Sequence, residues 1–153
     1  MNSTTAPTDA DTTRQVDRLL AHYGESHQNP KNELIHFIAI PLIMLSLVGM
    51  MFALHPYVAY AFIAASMVYY LRLSRVFLIT MLLWSALSVA VLFAMGPWVL
   101  KLSVAIFIGA WILQFIGHKL EGKKPSFFED IQYLWVGPLF VLSKLFTKLG
   151  LRW

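Results

Sequence analysis

The sequence predicts an all-α integral membrane bundle. It has four transmembrane helices, an N-terminal amphipathic helix and a C-terminal interfacial or re-entrant helix. Three observations lead there. The 153 residues are 58% hydrophobic and only 13% charged, against about a quarter charged in an ordinary soluble domain. Between Leu34 and Gly117 the charged residues are Arg72, Arg75 and Lys101 alone, so helices there have no charged face to turn toward water. Turn signals at His55-Pro56, Arg72 to Arg75 and Gly96-Pro97 divide that stretch into four apolar runs, at about 34–54, 57–71, 76–95 and 98–117. A helix of about 20 apolar residues crosses a bilayer.

Each element has its own local signal. Residues 1–13 (MNSTTAPTDADTT) are small, polar and acidic and predict a disordered tail; they contain no apolar core of a secretory signal. Residues 14–153 then form one membrane domain. Arg14 to Tyr23 sets Val16, Leu19, Leu20 and Tyr23 on one helical face, with Gly24 as the stop. That short helix is predicted to lie on the bilayer surface. Asn29 and Pro30 read as the N-cap and first residue of the first span. The second run is short, but Arg72 and Arg75 can snorkel and the helix need not stand upright. Tyr57, Tyr69, Tyr70 and Trp98 fall near segment ends, where amphipathic rings favour the interface. After Pro125, Ser126-Phe-Phe-Glu129 is a capping-box pattern that starts a helix over about 127–149. If that helix crossed, Lys144, Lys148 and Arg152 would sit opposite the other bases, so a re-entrant or interfacial course is predicted.

Charge sets the orientation. Arg14, Arg18 and Lys31 precede the first span, Arg72 and Arg75 join the second to the third, and Lys119, Lys123 and Lys124 follow the fourth. Four crossings put all of these on one side, predicted to be cytoplasmic, with both termini. Without a secretory signal, a bacterial inner membrane and the endoplasmic reticulum both suit. The lipid bilayer is thus the first partner. The net charge of +4 and the pI of about 9.5 come from bases that flank apolar runs, not from a phosphate track, so nucleic acid is excluded. Nothing in the sequence points to a particular oligomer. The absence of cysteine excludes disulfides, thiolate metal sites and cysteine nucleophiles. No HExxH, Gly-x-Ser-x-Gly or phosphate-cradling glycine loop occurs either.

The chemistry therefore falls to five histidines. His55 lies in the far turn, and His22 on the polar side of the surface helix. His27, His36 and His118 are different: the topology puts all three near one membrane boundary. Asn32 precedes His36 by four residues and Gln114 precedes His118 by four, so each pair shares a helix face. Polar groups at that depth are costly unless paired and tend to face inward. Three neutral imidazoles can bind Fe, Zn, Cu or Ni. Asn32, Gln114, Glu121 and Glu33 are candidates to hold the outer ring nitrogens or to act as an extra ligand. The alternatives are a non-enzymatic helical membrane protein whose histidines only tie helices together, and a haem or quinone redox protein. Lys123 and Lys124 are a topology signal or a receptor for an anionic substrate's carboxylate. Pro41 frees the carbonyl of Phe37 near His36, and Met44, Met50, Met51, Phe52, Met67, Trp84 and Met95 are lipid-facing, core or tunnel-lining.

Two blocks carry a resemblance. Tyr23-GES-His27-QNPK-Asn32-ELI-His36-FIAI-Pro41 and Trp111-ILQFIG-His118-KLEGKK-Pro125 resemble the small integral-membrane 2-hydroxy fatty acid dioxygenases of fatty acid α-oxidation and phytosphingosine breakdown. The likeness runs from about Leu19 to Leu149. It implies Fe(II) as cofactor, without 2-oxoglutarate, and 2-hydroxy fatty acid and O2 as substrates. It implies His27, His36 and His118 as the metal-binding and catalytic residues. Three histidines would leave places for the substrate's carboxylate and hydroxyl and for O2. The product it implies is a fatty acid one carbon shorter.

Overall fold

Asn29 and Pro30 open the longest single helix. The Asn29 side chain accepts from the Lys31 amide at 2.9 Å, and Pro30 occupies the first turn, where no N–H is needed. The protein's structure, a computed structural model, describes residues 14–122, 131 and 133–153. These form α1 (Gln15–Gly24), α2 (Pro30–Leu54), α3 (Pro56–Leu73), α4 (Arg75–Met95), a 3-10 turn (Gly96–Trp98), α5 (Val99–Glu121) and α6 (Val136–Lys148). No strand occurs among the described residues. The predicted tail at 1–13, the capping box at 126–129 and Lys123 and Lys124 lie outside them.

The predicted breaks are where the helices stop. His55 and Ser74 adopt extended backbone, and the His55 Nδ1 accepts from the Tyr57 amide at 3.2 Å, capping α3 ahead of Pro56. Two stretches are long and apolar enough to cross a membrane: Pro30–Leu54, and Arg75–Glu121, which joins α4, the turn and α5. The sequence predicts four spans. In α3, Tyr57, Tyr60, Tyr69, Tyr70 and Arg72 dilute the apolar character of an 18-residue helix.

The long helices alternate in direction. Asn29 and Asn32 meet Leu120 and Glu121 at one end of the α2–α5 pair, while Gly49 meets Ser103 at the other. Gly49 also lies against Leu92, near the end of α4. Ala59 packs with Val48 and Leu92, whereas Tyr70 packs with Phe77 and Phe146. So α2 and α4 run one way, and α3 and α5 the other.

The α2–α5 contact rests on small side chains at seven-residue spacing. Asn32, Ala39 and Ser46 on α2, and Ser103, Ala110 and Gly117 on α5, are all buried. A seven-residue period keeps one seam facing one partner along antiparallel helices. Small residues let two backbones approach where no hydrophobic effect drives them together.

The terminal helices are the main departure from expectation. The apolar face of α1 is correctly placed, with Val16, Leu20 and Tyr23 buried, but it is covered by α6 rather than left to lipid. An amphipathic pattern records that a face is covered, not by what. In α6 the first half, Val136 to Val141, is buried throughout. Next to it, Trp135 donates from Nε1 to Ser66 Oγ at 2.9 Å and accepts from the Tyr70 hydroxyl at 3.2 Å, so α6 starts about two turns inside the end of α3. Its other end returns to the charged face, where Lys144 pairs with Glu33 at 3.3 Å and Trp153 reaches Asp17 at 3.3 Å. The helix thus runs from beside the middle of α3 back to the charged end of the bundle.

A side chain at Gly49 would collide with Ser103 Oγ and stand 2.9 Å from Leu92. Gly49→Val should therefore lower stability by roughly 1–3 kcal/mol through overpacking. Thermal unfolding in detergent, compared with Ala53→Val on the same helix, reads this directly. Equal melting temperatures would refute the close α2–α5 seam.

Candidate functional site

The histidines converge at the charged end of the bundle. His36 is held one turn and a half into α2, His118 lies in the last turn of α5, and His27 sits in the short link between α1 and α2. Ring centroids are 4.3 Å apart for His27 and His36, 5.4 Å for His36 and His118, and 6.0 Å for His27 and His118. All three are removed from solvent: His36 is 0% exposed, His27 4% and His118 7%.

The tautomers follow from geometry. His27 Nδ1 lies 2.8 Å from the Tyr23 carbonyl and His36 Nδ1 lies 2.9 Å from the Asn32 carbonyl. A carbonyl only accepts, so each Nδ1 carries the hydrogen, and in the neutral ring Nε2 carries the lone pair. His36 Nε2 is buried with no hydrogen-bond partner among the described residues. A buried lone pair without a donor is costly unless something binds it.

A transition metal fits that description. An imidazole nitrogen sits about 2.1 Å from such an ion, which puts ring centroids roughly 4.5 Å apart at a right angle and about 6.4 Å apart when opposite. The three observed separations fall in or close to that interval. As the side chains stand, no three His, Asp or Glu among the described residues are gathered as a ready-made metal site. The rings are near neighbours, each within 6.0 Å of the other two.

The surrounding polar residues do something other than the one-turn spacing suggests. Asn32 offers His36 its backbone carbonyl, and its side chain turns instead to Glu121, donating from Nδ2 to Oε2 at 2.9 Å. Gln114 Oε1 is buried without a donor among the described residues. Helical spacing fixes the shared face; it does not decide whether backbone or side chain takes the ring nitrogen. Glu121 is a clasp. Its carboxylate accepts from the amides of Gln28 at 2.7 Å and Asn29 at 2.9 Å as well as from Asn32, so it ties the His27 segment to the end of α5. Glu33 points to Lys144 on α6. It shares with His27, Gln28 and Phe140 the wall of an open cavity of about 550 Å³.

Three contributors escaped the sequence. Tyr23 stacks on His27 at 4.2 Å with planes 13° apart, and Phe140 approaches His27 at 5.5 Å. Tyr23 has a visible signal, four residues before His27, but Phe140 comes from a remote helix. Gly117 is the third. A Cβ there would collide with Asn32 Oδ1 and stand 3.3 Å from Ile35 and 3.4 Å from His36 Cε1. Only a glycine lets α5 bring His118 this close to His36.

Removing the Glu121 carboxylate leaves two backbone amides and one carboxamide without their acceptor. Glu121→Ala should cost roughly 1–2 kcal/mol, because water at this partly exposed group recovers some of the loss. Hydrogen exchange at the Gln28 and Asn29 amides should rise well above that in the parent protein. Unchanged protection would refute the clasp.

A family model described as "2-hydroxy-palmitic acid dioxygenase Mpo1-like" matches residues 13–149. The 2-hydroxy-palmitic acid dioxygenase of Saccharomyces cerevisiae is 30% identical over 138 residues, covering 86% of this chain and 79% of that protein. No solved structure matches the chain.

Proposed function

The chain belongs to the Mpo1-like family, and from that premise we propose that it is an Fe(II)-dependent membrane dioxygenase converting 2-hydroxy fatty acids and O2 to fatty acids one carbon shorter. Family and relative support a 2-hydroxy fatty acid dioxygenase activity. The observation that carries the finer reading is the buried His36 Nε2 lone pair, with the rings of His27 and His118 beside it.

His27, His36 and His118 would hold the metal. Fe(II), when bound, supplies the Lewis acidity and redox chemistry that a reaction of O2 with a 2-hydroxy acid requires. The chain's own residues position and enclose. The Tyr23 and Asn32 carbonyls fix the tautomers of His27 and His36, and Tyr23 fixes the plane of His27. Burial of all three rings keeps bulk water away from the reacting centre.

The substrate is an amphiphile, and the bundle has a place for each end. The open cavity beside His27 carries Gln28, Asp17 and the Lys144–Glu33 pair, a polar wall on the charged face from which a head group would arrive. An apolar groove of about 350 Å³ lies between α2, α4 and α6, lined by Pro41, Met44, Met81, Trp84, Pro138 and Val141. It suits an acyl tail. Met44, Trp84 and Pro41 were singled out in the sequence, and here they share one wall.

The same reading takes α2, α3, α4 and α5 as four spans. They alternate in direction, and Ile79, Leu82, Leu83 and Leu87 on α4 and Ile108 and Ile112 on α5 face outward uncovered by the chain. Arg14, Arg18, Lys31, Arg72, Arg75, Lys119, Lys144, Lys148 and Arg152 all lie toward the histidine end, which is then cytoplasmic.

Two measurements test this. Purified protein should carry iron at a ratio near one per chain and consume 2-hydroxyhexadecanoate under air but not under argon. His36→Ala and His118→Ala should lose both properties; iron and turnover unchanged in these variants would end the proposal. For topology, the cysteine-free chain accepts single cysteines. In oriented inner-membrane vesicles, Ser74→Cys should react with an impermeant maleimide from the cytoplasmic side and Tyr57→Cys from the opposite side. Labelling of both from one side would contradict the four-span bundle.

A further inference from the structure

One turn deeper than the histidines lies a small cavity of about 20 Å³, lined by Tyr23, Ile40, Trp111, Gln114, Tyr133 and Gly137, among others. Ile40 follows His36 by four residues on α2, and Gln114 precedes His118 by four on α5, so the cavity adjoins the histidine cluster on its inner side. Gln114 is 2% exposed, and its Oε1 is buried without a donor among the described residues. A carboxamide oxygen desolvated beside Ile40, Ile43 and Leu134 without a donor costs free energy. The cavity holds about one water-sized group, since roughly 10–15 Å³ of such space accommodates a water. Trp111, Tyr23 and Tyr133 also line it and each bears an N–H or O–H group. An occupant must be small, and one that satisfies the Gln114 oxygen must donate a hydrogen bond.

We infer that Gln114 is the specificity residue for the substrate hydroxyl: its Oε1 accepts a hydrogen bond from the 2-hydroxyl group of a 2-hydroxy acid whose head group sits at the histidine cluster. The inference rests on the 2-hydroxy fatty acid reading and deepens it. The hydroxyl is the only feature that separates this substrate from an ordinary fatty acid of equal length. A site that offers a buried acceptor to an O–H penalises the analogue lacking it, because the acceptor is then left desolvated and unpaired. A neutral carboxamide suits the task better than a carboxylate here, since it brings no charge into an apolar wall. Gln114 touches the substrate without being needed to hold metal.

The experiment compares binding of 2-hydroxyhexadecanoate and hexadecanoate to metal-free protein by competition against a fluorescent fatty acid. Removing the metal removes chelation of the hydroxyl and leaves the chain's own preference. Wild type should prefer the hydroxy acid by roughly tenfold, the worth of one hydrogen bond to a buried acceptor. Gln114→Leu should lose that preference while binding hexadecanoate as wild type does, which also certifies its fold. Gln114→Glu, which keeps the acceptor oxygen, should restore preference at a pH where its carboxyl is protonated. In the metal-loaded form, Gln114→Leu should keep its iron and lose turnover of the hydroxy acid mainly through a higher KM.

Discrimination retained in Gln114→Leu, or absent from metal-free wild type, would overturn the inference and leave the cavity to a structural water. If Gln114→Leu does not fold, Gln114→Met takes its place with the same expectations. Loaded wild type that neither binds nor consumes 2-hydroxyhexadecanoate would instead overturn the functional reading itself. Turnover by wild type with an unaltered preference in the variant condemns only the role of Gln114.

Discussion

The contact of α5 against α2 at Gly117 is the constraint on which the site depends. Two of the three histidines sit on these helices, and His36 and His118 can be neighbours only if the backbones nearly touch. The missing side chain at Gly117, facing Asn32, Ile35 and His36, provides that approach. Farther along the seam, Ala39, Ser46, Ser103 and Ala110 keep it up. In a lipid environment close packing of small residues, rather than expulsion of water, is what joins helices. The stretch that makes the bundle a bundle is therefore also the stretch that makes the site.

The third histidine needs a different device, because His27 lies outside regular helix. Glu121 provides it from the end of α5, gathering the Gln28 and Asn29 amides and the Asn32 side chain onto one carboxylate. Tyr23 and Phe140 add ring contacts from α1 and α6. The covering of α1 by α6 thus has a consequence for the site, since it brings both aromatic rings to His27. The terminal helices act as a cap on the histidine end of the bundle.

Much of this was legible from the residue order alone. Charge-poor runs and their breaks at His55-Pro56, Arg72 to Arg75 and Gly96-Pro97 fall at the observed helix ends, since proline, glycine and paired bases act locally. The meeting of His27, His36 and His118 was legible too, because helices of known rise fix membrane depth, and equal depth is half of proximity. Partnership was not legible. Asn32 and Gln114 share a face with their histidines, yet backbone carbonyls compete for Nδ1 and win at His27 and His36. Nor was Gly117 distinguishable from Gly109, a second glycine in the same helix with open space around it. Phe140 and the Glu33–Lys144 pair depend on the fold of α6 over the bundle, which leaves no periodic trace in the sequence.

The central claim is that three imidazoles, from the α1–α2 link and from two antiparallel helices, bind one iron. X-ray absorption at the iron edge of the loaded protein in detergent addresses it most directly. The account expects outer-shell scattering from three imidazole rings, with nitrogen at about 2.1 Å from the metal. A spectrum with oxygen ligands alone, or with one imidazole at most, would contradict it.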